Sequence, residues 1–457
     1  MQVTRREAVV GGIAAAAAPY LAKATPSKPP NIVFILADDL GWADLGSYGN
    51  TDFKTPALDA LATRGVRLTH SYANSCVCSA TRMALITGRY QYRLRGGLEE
   101  PIKEAPDPLL GLPPSHPTLP SMLKQAGYHT ALIGKWHLGY LPWFGPLKSG
   151  YDEFFGIRSG GADYFTHKSV SGKLDLWDGD RLADEHGYLT DLLTARAVKY
   201  VANRAARRDQ PFLLSLHYTA PHWPWETEQD SARASQLKEL FDFGGGSLAT
   251  YAGMVQSLDR GVGRVLDALN ESGLSNETIV VFTSDNGGER YSKMWPLVGE
   301  KGDLLEGGIR VPTLVAFPRA LPAGRISEQV AITMDWTATL LKAAGVRPVL
   351  PLDGMDLLPV LSGAPQVPRR LFWRFVGQRQ AAVREGPIKY LRVGKNEYLF
   401  DIDKDPRERA NLAGARPAEL ARLRQSFQRW NATMLPDKGV EGYLFGPDKL
   451  AGRPDGD

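Results

Sequence analysis

Cysteine is nearly absent from this chain. It has two cysteines in 457 residues, Cys76 and Cys78, separated by one valine. A pair so close and so isolated provides no disulfide framework, and it is too small for a structural zinc site without histidines. Runs of one charge sign are missing as well. The formal net charge is +4, so nothing marks nucleic acid as a partner. No apolar run is long enough for an integral membrane segment, which needs roughly 20 residues. Wholesale disorder is excluded by a hydrophobic content of 43% and a charged content of 23%, both ordinary globular values. The length suits one large α/β domain with a smaller one, or two ordinary domains.

What is present begins at the N-terminus. "TRREAVVGGIAAAAAPYLAKA" opens with Arg5-Arg6, continues through Ala, Val and Gly, and ends in Ala22-Lys23-Ala24. This is the order of a charged region, a weakly apolar region and a small-residue cleavage site. The adjacent arginines point to twin-arginine export machinery, so residues 1–24 read as a signal peptide. The expected destination is periplasmic or extracellular. The alternative is an Ala-rich helix of a cytoplasmic protein.

Four short apolar runs without polar alternation read as buried parallel strands: Asn31 to Ala37, His129 to Ile133, Phe212 to His217 and Thr278 to Thr283. Helical patterns such as Thr55 to Arg64 and Tyr251 to Asn270 lie between them. Such alternation predicts an α/β domain with a mainly parallel central sheet flanked by helices. Beyond Ser362 the pattern changes to "LFWRFV", "AAVREG", "IKYLRV" and "EYLFDI", followed by an amphipathic stretch from Pro417 to Met434. The expectation is a catalytic domain over 25–362, and over 363–457 a smaller subdomain of antiparallel sheet plus helix.

Each buried strand runs into polar residues at its C-terminal end: Asp38-Asp39, Lys135 with His137, His222, and Asp285-Asn286. In open α/β sheets ligands bind outside that edge. Asp38, Asp39, Asp285 and Asn286 all offer oxygen. Carboxylates sharing a pocket repel one another unless a cation sits between them, and oxygen donors suit Ca²⁺ or Mg²⁺ better than Zn²⁺. Taken singly, either pair could equally be a helix cap or a tight turn. Lys135 and His137, two apart, would share a face in extended chain. Lys301 has glycines within two residues on both sides, leaving room for a ligand. His222 is held between Pro221 and Pro224. With Arg82, these residues describe a pocket for a tetrahedral oxyanion beside a divalent cation.

The two cysteines open a short helix. "SATRMALIT" ends at Gly88, a natural helix stop, which puts Cys78 at or beside the N-cap. Partial positive charge there is expected to lower a thiol pKa and attract anions. Arg82 follows one turn later on the same face. Cys76 reads as a small buried hydrophobe.

Cys78-Ser79-Ala80-Thr81-Arg82, followed by Leu85 and Thr87-Gly88-Arg89, resembles the type I sulfatase signature. "NIVFILADDLG", "GKWHLG", "PHWP", "SDNGG" and "GEKGDLLEGGIRVP" are similar to that family's other motifs, in its order. The resemblance extends from Pro30 through the C-terminal subdomain and implies an alkaline-phosphatase-like fold. It implies that a formylglycine-generating enzyme oxidises Cys78 to Cα-formylglycine, whose hydrated aldehyde is the nucleophile on a sulfate monoester. It further implies a metal site of Asp38, Asp39, Cys78, Asp285 and Asn286, with Ca²⁺ ahead of Mg²⁺. Arg82 and Lys135 would steady the gem-diol and His137 would take its proton. Lys301 and His222 would bind the sulfate and help protonate the leaving alcohol. Two positions depart from the family pattern: Ala80 stands where proline is usual, and Val298 where arginine often is.

The expected substrate is a sulfated carbohydrate, with aryl sulfates as surrogates. Trp136, Tyr164, Trp223, Trp225 and Trp295 are candidates either to stack on its rings or to pack in the core. Competing readings are a phosphate or phosphonate monoester hydrolase of the same fold, and an inactive relative that binds sulfated glycans.

Overall fold

The computed structural model describes residues 28–234, 245–375 and 379–437. The signal-peptide reading of residues 1–24 lies outside them. At the centre is a ten-stranded sheet. Its order is Arg325–Ser327, Val66–Leu68, Thr313–Ala316, Thr278–Ser284, Asn31–Ala37, Phe212–His217, His129–Gly134, Glu153–Ile157, Leu176–Asp178 and Arg181–Leu182. The four strands read from sequence lie side by side and parallel, with Ile32 between Leu213 and Ile279. Thr313–Ala316 is antiparallel to both its neighbours, so the sheet is mainly rather than wholly parallel.

Every residue of Asn31–Ala37, Phe212–His217 and Thr278–Ser284 is buried. Unbroken apolar runs are what burial on both faces demands. Successive side chains point to opposite faces. Val33 and Ile35 therefore join one core under the helices Leu189–Ala205 and Leu248–Glu271. Ile32, Phe34 and Leu36 join the other, under Cys78–Thr87, Leu119–Gln125 and Asp335–Ala343.

Four further strands, Arg370–Phe375, Gln380–Glu385, Ile388–Val393 and Asn396–Asp401, form a separate antiparallel sheet in chain order. One face, with Leu371, Trp373, Phe375 and Leu391, packs on Cys76, Val77, Ala80 and Ala84. The other face takes Leu423 and Phe427 of the helix Pro417–Asn431. The small sheet thus braces the back of the helix that carries Cys78. A buried ionic link ties it to the loop beyond Lys301: Lys389 Nζ lies 3.0 Å from Glu306 Oε1 and 2.9 Å from Glu408 Oε1. Among the described residues, no helix is long and apolar enough to cross a membrane.

Candidate active site

Asn31–Ala37 and Thr278–Ser284 pair in parallel with Ala37 opposite Ser284, so the residues that follow emerge side by side at one sheet edge. The Asp285 amide donates to the Ala37 carbonyl at 3.2 Å, and the Asp38 amide to the Ala220 carbonyl at 3.2 Å. Asn286 Nδ2 donates to Asp39 Oδ1 at 2.7 Å. Asp39 takes φ of +66°, a left-handed conformation that aspartate tolerates better than most residues. It turns the carboxyl into the site.

These acids are matched by cations. Lys135 Nζ lies 2.5 Å from Asp38 Oδ2. Arg82 reaches Asp285 Oδ2 through Nε at 2.9 Å and Nη2 at 2.8 Å, and its Nη1 donates to the Lys135 carbonyl at 3.0 Å. Lys301 Nζ donates to Asp39 Oδ2 at 2.7 Å, with His222 Nε2 at 3.6 Å from the same oxygen. Burial would raise the Asp39 pKa, but Lys301, His222 and Lys135 outweigh it and hold the carboxyl well below its usual range. Asp285, under burial and beside Asp38, is pushed up to about 6. Although burial disfavours its charge, Asp39 and Glu289 keep Lys301 well above its ordinary pKa.

The donor set fits a hard divalent cation. Asp38 Oδ1 and Asn286 Oδ1 are buried acceptors with no hydrogen-bond partner, which is costly unless something positive satisfies them. Ligand atoms of Asp38, Cys78 and Asp285 lie within 4.8 Å of one another, as do those of Asp38, Asp39 and His222. Among the described residues both groupings share Asp38, which makes them one centre.

Cys78 is the first residue of the helix Cys78–Thr87, after the N-cap Val77, and the helix stops at Gly88 with φ of +66°. Its Sγ lies 3.2 Å from His137 Nδ1. The expected lowering of this thiol's pKa is overturned: burial pushes it up, with Asp38 and Asp285 adding to the effect. A helix buried at every residue loses more to desolvation than a half-charge at its end returns. Cys76 is buried in the core shared with the small sheet, as expected of a hydrophobe.

Lys135 and His137 do reach one site, but not by lying on one face of extended chain. Gly134 has φ of +119° and His137 of +56°, and this kinked backbone delivers both side chains. His137 Nε2 sits 3.0 Å from the Ile102 carbonyl. His222 Nδ1 sits 2.6 Å from the Trp223 carbonyl, while Tyr164 Oη donates to the His222 carbonyl at 2.9 Å. Burial, reinforced by neighbouring lysines, holds both imidazoles well below their ordinary pKa.

All ten polar positions picked from sequence therefore come together. One neighbour was missed: Glu289, pushed up to about 7 by burial and Asp39. It directly follows "SDNGG", so adjacency to that motif was the available signal. Of the aromatic candidates, Trp136, Tyr164 and Trp225 are core. Trp223 packs its ring 4.5 Å from that of His222. Trp295 is exposed.

Three cations around a buried acidic centre, at the strand ends of an alkaline-phosphatase-like α/β sheet, define a hydrolase of tetrahedral anionic esters. Comparison narrows the class. The Sulfatase family model matches residues 30–346, and the model named N-sulphoglucosamine sulphohydrolase, C-terminal, matches residues 300–430. The chain belongs to the sulfatase family and is an enzyme that hydrolyses sulfate esters. Arylsulfatase J of Mus musculus is 30% identical over 90% of this chain and 77% of its own. N-acetylgalactosamine-6-sulfatase of Canis lupus familiaris is 33% identical over 83% of this chain and 73% of its own. The crystal structure of Ps i-CgsB in complex with k-i-k-neocarrahexaose superposes with a TM-score of 0.79 at 30% identity, covering 90% of this chain and 94% of that one.

Proposed function

We propose that this sulfatase cleaves sulfate monoesters of a carbohydrate, using Cα-formylglycine formed from Cys78 and a calcium ion held by Asp38, Asp39, Asp285, Asn286 and residue 78. The observation that carries the reading is the placement of Cys78. Its Sγ belongs to the same cluster as Asp38 and Asp285, yet burial disfavours the thiolate that a cysteine nucleophile would need. The carbohydrate assignment draws on relatives whose names or titles specify sugars.

When present, calcium supplies charge neutralisation at a sulfuryl oxygen, and the hydrated aldehyde supplies a hydroxyl nucleophile. The chain's own groups do the rest. Arg82, paired with Asp285, and Lys135, paired with Asp38, would steady the hydrated aldehyde at residue 78 and balance its charge. His137 has Nε2 against a carbonyl that only accepts, so Nε2 bears the proton and Nδ1 is a lone pair facing position 78. It takes a proton from the group there. Lys301 presents a permanent ammonium to the sulfate oxygens and to the leaving alcohol. His222 has Nδ1 committed to the Trp223 carbonyl and turns Nε2 towards the pocket. A bound anion raises its proton affinity, so it shares the task of protonating the alcohol. Among the described residues the candidate metal ligands form one centre around Asp38, which supports this reading over a phosphate hydrolase with a second, histidine-rich metal site.

The test is mass spectrometry of the tryptic peptide from Leu68 to Arg82, taken from protein matured in its own host. An aldehyde at Cys78 beside an alkylatable thiol at Cys76 is expected. Two thiols in that peptide would defeat the mechanism and bring forward the inactive glycan-binding reading.

A further inference from the structure

Between Gly288 and Lys301 the chain leaves the active site and returns to it. The Lys301 amide donates to the Gly288 carbonyl at 2.9 Å, which pinches residues 289–300 into a compact loop of the Ω type. The base of this loop is fixed. The Tyr291 ring packs 4.8 Å from that of Trp225, and its hydroxyl donates to the Gly245 carbonyl at 3.1 Å. Lys293 Nζ pairs with Asp52 at 2.5 Å, and the Lys293 amide donates to Asp44 Oδ1 at 2.9 Å.

Trp295, on the same loop, is treated differently: its side chain is 67% exposed. Arg407, from the turn beyond the small sheet, places its guanidinium 4.5 Å from the Trp295 ring centroid. Arg407 Nε is buried and has no hydrogen-bond partner, so the stacked guanidinium is not used up in an ion pair through that atom. One ring face lies against a cation and the rest of the side chain faces water. A large aromatic left in solvent on an anchored loop forgoes the burial that usually rewards it. Lys301 follows six positions later, so the two are at most ~22 Å apart.

We propose that Trp295, backed by Arg407, is a subsite for a sugar ring of the substrate beyond the sulfated residue, with Arg407 pairing to a sulfate or carboxylate on that ring. The proposal rests on the carbohydrate reading and deepens it. The favoured substrate is an anionic oligosaccharide rather than a sulfated monosaccharide. The open face of the indole takes the apolar face of a pyranose, and the guanidinium, fixed by stacking, takes the charge.

The test is steady-state kinetics of the matured enzyme and its W295A, W295F and R407A variants. The substrates are 4-nitrophenyl sulfate and size-graded sulfated galactan and glycosaminoglycan oligosaccharides. For the best oligosaccharide, KM is expected to rise about tenfold in W295A. A smaller rise is expected in R407A, and W295F should recover much of the loss. On 4-nitrophenyl sulfate all three variants should stay within about twofold of the parent, which also shows that they fold. Equal losses on both substrates, or an unchanged oligosaccharide KM in W295A, would overturn the subsite. So would wild-type turnover of a sulfated monosaccharide as good as that of any longer chain. If the wild type cleaves 4-nitrophenyl sulfate but no sulfated sugar, the carbohydrate reading itself falls, and the subsite with it.

Discussion

Cys78 Sγ and His137 Nδ1 lie 3.2 Å apart, the spacing of a thiolate–imidazolium pair, but burial opposes that ion pair from both ends. It raises the thiol and lowers the imidazole, so neutral sulfur faces a neutral ring. With Nε2 held by the Ile102 carbonyl, the ring can only accept from position 78. The pair is arranged to receive a proton from a hydroxyl-bearing group, not to stabilise a thiolate.

That arrangement predicts the effect of His137→Ala. The turnover number on an aryl sulfate should fall by about 10²–10⁴-fold, the usual contribution of a positioned base. The aldehyde at residue 78, read by mass spectrometry, should be unchanged. A turnover near that of the parent would remove His137 from proton transfer.

Much of this was legible in the sequence because strands buried on both faces leave continuous apolar runs. Asn31–Ala37 and Phe212–His217 coincide with their strands. Val66–Leu68 and Arg325–Ser327 are too short to carry periodicity and are recognisable only by their pairing with each other and, for Val66–Leu68, with Thr313–Ala316. The ten polar positions were visible because each lies within a recognisable motif. Their mutual distances were not, and two local inferences failed for reasons of tertiary context. The kink at Gly134 replaced an extended chain at Lys135 and His137, and desolvation overrode the helix N-terminus at Cys78.

The acidic centre should depend on its ion. Chelation with EGTA is expected to abolish activity and lower the melting temperature, with Ca²⁺ restoring both. Calcium at a hundred times its dissociation constant stabilises by about 2.7 kcal/mol. Mg²⁺ should restore less, since it demands a tighter octahedral shell. A chelated protein that stays fully active and equally heat-stable would mean that no cation satisfies Asp38 Oδ1 and Asn286 Oδ1.

The twin-arginine reading ties maturation to export. A folded chain modified inside the cell would need a route that carries folded proteins. Replacing Arg5 and Arg6 with lysines is expected to trap active, formylglycine-bearing enzyme in the cytoplasm. Unchanged export would refute the reading.

Glu226, behind the His222 segment, sets a pH window for stability. Its Oε2 accepts the Tyr164 amide at 3.2 Å, and its carbonyl accepts the Tyr188 hydroxyl at 2.8 Å. Burial and the neighbouring Asp163 carboxylate push its pKa up to about 8. An unfolded glutamate titrates near ~4.3. The folded state therefore binds the extra proton between these values, and the contribution is fully present below ~4.3. It is lost as pH rises through about 8. Glu226→Gln keeps a neutral donor towards Asp163 at every pH. Its melting temperature should match the parent's near pH 5 and exceed it near pH 8.5, because the variant has no proton to lose. Since Tyr164 Oη also holds the His222 carbonyl, the parent's alkaline loss of activity should be shallower in the variant. Parallel melting curves for the two proteins across that range would mean that Glu226 is already ionised when folded, and that the Asp163 contact is not a shared proton.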